Sequence, residues 1–179
     1  PTWWGEYSLD RTIGIQFLIA KSQEIFGNSS FASHLPVTLA SALMLFVTFK
    51  LHQILIHKQE AIFSVLILST TYLWFNFAHL ATQDIIFSLL VNIGLFSFIK
   101  LDKNKNRLHL FLFGAWIGLA FMMKTFFVFI PIFAILPFLF FKKEILLNKS
   151  FWIGLFIGFV PFILWSISID QYIERNIFI

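Results

Sequence analysis

The chain has 179 residues, of which 59% are hydrophobic, 20% aromatic and only 12% charged, and its mean hydropathy is +0.84. Because a soluble domain carries roughly 25% charged residues, this composition excludes a water-soluble fold and predicts an integral membrane protein. The formal net charge of +4 does not indicate nucleic-acid binding, since the basic residues follow membrane topology. The absence of cysteine excludes disulfides and thiolate metal sites.

Residues 1–34 are too polar to span a membrane, and we predict that they form an extracytoplasmic loop segment. Between Ile13 and Phe26 the apolar residues recur on one helical face and the polar residues on another. This pattern is typical of a helix that lies in the membrane interface. Gly27 can end the helix as its C-cap.

Residues 35–179 are predicted to form a transmembrane helical bundle, as a fragment of a larger membrane protein. Spanning ~30 Å of hydrocarbon takes about 20 apolar residues. The candidate spans are Leu35–His57, Ala61–Ala81, Ile85–Lys100, Leu108–Met123, Thr125–Phe141 and Phe151–Ile169. The predicted fold class is therefore all-α, a polytopic bundle of about six transmembrane helices preceded by an interfacial helix.

The basic residues test this segmentation. Nine of the thirteen Lys and Arg residues fall in alternate connections between the candidate spans: Lys50, Lys58, Lys100, Lys103, Lys105, Arg107, Lys142, Lys143 and Lys149. The positive-inside rule makes that side cytoplasmic. Residues 1–34, Asp84 and Lys124 are then extracytoplasmic, and a multi-pass protein of a bacterial inner membrane is expected.

Glycines also recur four residues apart in two of the candidate spans. Gly114 and Gly118 form one small-xxx-small pattern, and Gly154 and Gly158 form another. Such patterns let helix backbones approach closely, so we predict that these two segments pack against other helices.

Asp84 is the only acidic residue between Glu60 and Asp102, in a stretch of membrane-grade residues. A carboxylate at a membrane boundary is costly, and function is the default hypothesis. The alternative is an ordinary helix N-cap. Lys124 likewise lies between apolar segments, where it would serve a ligand, complement a helix C-terminus or snorkel to the interface.

Two further charged or titratable groups lie on the same predicted face. Arg11 directly precedes the interfacial helix, although Asp10-Arg11 is also readable as a local surface ion pair. Cations here would bind a phosphate-linked headgroup through charge-assisted hydrogen bonds. His79 precedes Asp84 by five residues without metal-ligand spacing, so no metal site is predicted and a divalent cation stays an open alternative.

Four stretches follow one another along the chain: residues 15–27, which end in Phe-Gly, and residues 31–36 (F-A-S-H-L-P), 81–87 (A-T-Q-D-I-I-F) and 118–124 (G-L-A-F-M-M-K). In this order they resemble the interfacial helix and three later motifs of the polytopic GT-C glycosyltransferases of the dolichyl-phosphate-mannose-protein mannosyltransferase and aminoarabinose transferase group. The four stretches are distributed over most of residues 10–140.

The resemblance implies an inverting transferase that moves a sugar from a polyprenyl-phosphate donor to a lipid or protein acceptor outside the cytoplasm. Asp84 takes the place of the second acidic motif and is the candidate catalytic residue. Lys124 matches the lysine that engages the donor phosphate, and Arg11 stands near the basic residue before the interfacial helix. His79 is the third candidate for substrate binding.

The chain also departs from the family pattern. His34, Ile85 and Thr125 stand where Arg, Pro and Gly are usual, and the family's prolines after the basic residue are Thr12 and Ile13. The principal catalytic acid of the family lies upstream of these motifs, so the chain by itself is expected to be inactive. A transporter or flippase subunit is the alternative function, and a membrane scaffold is a third.

Overall fold

The computed structural model describes the backbone of residues 2–3, 6–7, 12–103 and 106–177, and the side chains of 12–101 and 106–169. Strands β1 (Thr2–Trp3) and β2 (Glu6–Tyr7) pair in antiparallel fashion. The helices are α1 (Gly14–Phe26), α2 (Ser30–Leu55), α3 (Lys58–Thr70), α4 (Tyr72–His79), α5 (Asp84–Lys103), α6 (Arg107–Lys124), a 3₁₀ turn (Thr125–Val128), α7 (Phe129–Phe141), α8 (Lys143–Leu147) and α9 (Lys149–Ile177). The prediction of an all-α polytopic protein is confirmed.

Local sequence explains the boundaries of the first two helices. Gly27 ends α1 with a φ of +82°, a conformation that costs glycine little because it has no Cβ. The Ser29 side chain then caps α2 by accepting a hydrogen bond of 3.2 Å from the Ala32 backbone amide. The predicted helix with a glycine C-cap is therefore present, and its start packs against the rest of the bundle.

Four helical runs within the described residues are long and apolar enough to cross a membrane: Ser30–Leu55, Asp84–Leu101, Arg107–Phe141 and Lys149–Ile169. The count rises to five if the bent pair α3 and α4 is taken as one span. The sequence prediction of six crossings therefore remains a prediction.

The predicted span Ala61–Ala81 is not one helix, because α3 and α4 meet at an angle of 64°. Thr71, at the break, has an extended backbone. The hydroxyls of Ser69, Thr70 and Thr71 donate to carbonyls one turn earlier, at 2.8–3.1 Å. Such back-bonding competes with the helical ladder and bends helices, which explains a break that hydropathy alone does not reveal.

The run of 35 residues from Arg107 to Phe141 reverses direction at the 3₁₀ turn. The Phe98 ring of α5 lies 5.3 Å from the Phe113 ring near the start of α6 and 6.5 Å from the Phe138 ring near the end of α7. In a straight helix Phe113 and Phe138 would be separated by roughly 37 Å. The run therefore folds back on itself, which fits either two spans or a hairpin around Lys124 that barely crosses, and two spans here remain a prediction.

Helices α6 and α9 approach each other closely through the glycines that the sequence singled out. A Cβ placed on Gly114 would lie 2.1 Å from the carbonyl oxygen of Phe151, and one on Gly158 would lie 2.3 Å from that of Ala115. Real Cβ atoms do not approach backbone this closely. The two small-xxx-small patterns therefore face each other.

Gly158→Ala is expected to destabilise the protein by about 1–3 kcal/mol, because the added methyl group forces two packed backbones apart. Ile157→Ala, one residue earlier on an exposed face of α9, is the matched control and should change stability little. Thermal unfolding of both variants in detergent tests the packing. Equal melting temperatures for the two would contradict it.

One end of the bundle gathers the elements that carry the candidate site residues. Ile15 at the start of α1, Ile85 at the start of α5 and Met123 at the end of α6 share one buried cluster with Val37 and Trp74. Because these apolar side chains pack together, the polar residues beside Ile85 and Met123 in sequence are also drawn together.

Candidate functional site

Asp84 and Lys124 form an ion pair between residues 40 positions apart in sequence. The Lys124 Nζ donates to Asp84 Oδ1 at 2.5 Å, and the two side chains are 21% and 33% exposed, respectively. Asp84 is the first residue of α5 and Lys124 is the last residue of α6. The pair therefore joins two helix ends, and both of its side chains are partly buried.

The N-cap interpretation of Asp84 needs a correction of position. The carbonyl of Gln83 accepts the first bond of α5, from the Phe87 amide at 2.9 Å. Gln83 is thus the cap residue, and Asp84 follows it. Each charge still lies at the helix end that favours its sign, so helix stabilisation and site chemistry act through the same two groups.

Two aromatic rings also contact the ammonium group of Lys124. Its Nζ lies 5.1 Å from the centre of the Phe127 ring and 6.0 Å from that of Phe87. At such distances the ring faces attract a cation. The lysine is therefore held on one side by a carboxylate and on others by aromatic rings.

An open cavity of about 430 Å³ lies beside the ion pair. Its polar lining consists of Thr12, Gln83, Asp84, Lys124 and Thr125. Its apolar lining consists of Met123, Phe126 and Phe127. A cavity with one cation, one carboxylate, an amide and two hydroxyls suits a ligand that has both an anionic group and hydroxyl groups.

The structure brings together only part of the predicted site. Asp84 and Lys124 meet, but His79 does not line the cavity. Its Nδ1 lies 2.6 Å from the Phe75 carbonyl oxygen, and its ring lies 4.4 Å from the Phe75 ring. Arg11 lies outside the described residues, so its proposed role stays a prediction.

Metal binding has no support from side-chain geometry in the described part of the chain. No group of three or more His, Asp or Glu residues there could hold an ion. The carboxylate of Asp84 is instead engaged by Lys124.

Apart from Asp84 and Lys124, none of the residues that line the cavity was predicted as a site residue; the six include Thr12, Gln83 and Phe127. Gln83 directly precedes Asp84, and Phe127 follows Lys124 by three positions in the 3₁₀ turn, so nearness in sequence to a predicted charge was a usable signal for both. Thr12 offered no such signal, because its partner is 111 residues away.

Fold and site together define a polytopic all-α membrane protein with an ion pair in an open polar cavity at one end of its bundle. The family model described as dolichyl-phosphate-mannose-protein mannosyltransferase matches residues 10–167, and the chain belongs to this family. Membership implies glycosyltransferase activity of the mannosyltransferase type in general. No individual curated protein and no solved structure matches the chain.

Proposed function

We propose that this chain serves a transferase that moves a sugar from a polyprenyl-phosphate donor to a lipid or protein acceptor at the extracytoplasmic face of the membrane. The observation that carries the proposal is the Lys124–Asp84 ion pair in an open cavity at a helix-end junction. Family membership supplies the reaction class. The excess of basic residues in the alternate connections supplies the orientation.

Lys124 is the donor-binding group in this proposal. Its side chain is 21% exposed and borders the cavity, so a phosphate that enters can reach it. Charge-assisted hydrogen bonds to phosphate are about twice as strong as neutral ones. As the bond between the sugar C1 and the phosphate oxygen breaks, negative charge grows on the departing lipid phosphate, and Lys124 stabilises it.

Asp84 acts on the acceptor side. Its carboxylate holds the lysine in the ion pair, and when a phosphate competes for the ammonium a carboxylate oxygen becomes available. The acceptor hydroxyl can then donate a hydrogen bond to Asp84 as its oxygen forms the new bond to C1. Asp84 is the second acid of the reaction, and the hydroxyl proton passes to the carboxylate of the principal catalytic residue that the family resemblance implies.

The class of donor can be tested directly in liposomes that hold the intact protein. Radiolabelled mannose, glucose and a pentose are each supplied on polyprenyl phosphate and, in parallel, on a nucleotide. We expect transfer from at least one lipid-linked sugar and none from the same sugar on a nucleotide, because the site offers one cation at the membrane rim. Transfer from nucleotide donors alone would contradict the proposal.

A further inference from the structure

Thr12 forms a hydrogen bond with Met123, the residue before Lys124. The proposed reaction does not use this bond. Thr12 donates through its hydroxyl to the carbonyl oxygen of Met123 at 3.1 Å, and its side chain is only 8% exposed. The residue lies two positions before Gly14, the first residue of α1, and Met123 lies in the last turn of α6. The bond therefore ties the interfacial helix to the helix end that carries Lys124.

The Met123 carbonyl that Thr12 contacts lies at the C-terminal end of α6, where carbonyls have no helical amide as a partner. The last four carbonyls of an α-helix have no amide one turn ahead of them. Lys124 already leaves the helical conformation, with φ −142° and ψ 56°. An external donor at Met123 therefore fixes the peptide from which the lysine side chain projects.

Packing around Thr12 shows that this contact is built into the fold. A Cβ placed on Gly14 would lie 2.7 Å from the carbonyl oxygen of Met122 and 2.8 Å from the sulfur of Met123. Ile15 and Met123 are buried in the same apolar cluster. The first turn of α1 thus lies directly on the last turn of α6, and Thr12 lines the cavity between them.

The geometry points to Thr12 as a positioning residue that sets the location of Lys124, an inference that rests on the proposed function. The lysine holds the donor phosphate both before and during transfer. Displacing it therefore weakens donor binding, which raises KM, and weakens the stabilisation of the charge that grows on the departing phosphate, which lowers kcat.

Three variants of the intact protein test this role. Thr12→Val removes the hydroxyl and keeps the shape, Thr12→Ser keeps the hydroxyl, and Thr38→Val removes a hydroxyl that donates at the same distance, 3.1 Å, within α2. We expect Thr12→Val to lower kcat/KM for the lipid-linked donor about tenfold. Thr12→Ser and Thr38→Val should behave as wild type.

A second measurement needs no donor. The rate at which an amine-reactive acetylating reagent modifies Lys124, followed by mass spectrometry, should rise several-fold in Thr12→Val and stay at the wild-type value in Thr12→Ser. An unchanged labelling rate and an unchanged kcat/KM for the donor in Thr12→Val would overturn the inference, as would equal losses in Val and Ser. If wild type uses no lipid-linked donor, the proposed function fails, while the labelling result still judges the position of Lys124.

Discussion

Replacing Lys124 by alanine is expected to reduce sugar transfer by about a hundredfold or more. The ammonium is the one described cation in the cavity lining, and no neighbouring lysine or arginine in that lining can replace it at the donor phosphate. The loss should appear in kcat/KM for the donor, since both binding and stabilisation of the departing phosphate are removed. The measurement is initial transfer rate against donor concentration with the intact protein.

The control for this variant is Lys58→Ala, which removes an exposed lysine at the start of α3, away from the cavity. Its rate should stay within about twofold of wild type. Because Lys124→Ala also leaves Asp84 without its partner, the melting temperature of the variant is measured alongside. Sugar transfer near the wild-type rate in Lys124→Ala would show that Lys124 has no role in the reaction.

Replacing Asp84 by asparagine is expected to reduce transfer by well over tenfold. Asparagine keeps the shape and one acceptor oxygen but has no negative charge, so it attracts the Lys124 ammonium far less and is a weaker acceptor for the substrate hydroxyl. Initial transfer rates at saturating donor, with acceptor concentration varied, measure the effect.

Glu60→Gln is the matched control, because Glu60 is an exposed acid in the first turn of α3, as Asp84 is in the first turn of α5. Both changes remove a charge that complements a helix N-terminus, but only Asp84 borders the cavity. Equal activity in the two variants would reduce Asp84 to a helix-stabilising role.

The double variant Asp84→Asn with Lys124→Ala separates a working pair from two independent groups. In the proposed reaction Lys124 acts on the donor and Asp84 on the acceptor, so the two losses should largely multiply in the double variant. A double variant that loses no more activity than Lys124→Ala alone would show instead that the two residues act only as an ion pair.

Much of the architecture was readable from local sequence because membrane burial leaves a strong signal. Apolar length identified α2, α5 and α9, and the Gly154 and Gly158 spacing identified a close helix contact that the structure contains. The break at Thr71 was not predicted, because hydropathy averages over a window while the break depends on three consecutive hydroxyls and the carbonyls behind them.

The sequence by itself determined that this is a polytopic helical membrane protein and that Asp84 and Lys124 are costly where they stand. The free energy of transferring a segment from water into a membrane depends on its residue types and on the length of its apolar run, and both are read directly from the sequence. Only the tertiary structure decided that the two charges meet at 2.5 Å, that His79 stays on its own helix and that Thr12 secures the end of α6. Those outcomes depend on side-chain packing between segments 40 to 111 residues apart, and no local pattern records which helix ends the apolar clusters bring together.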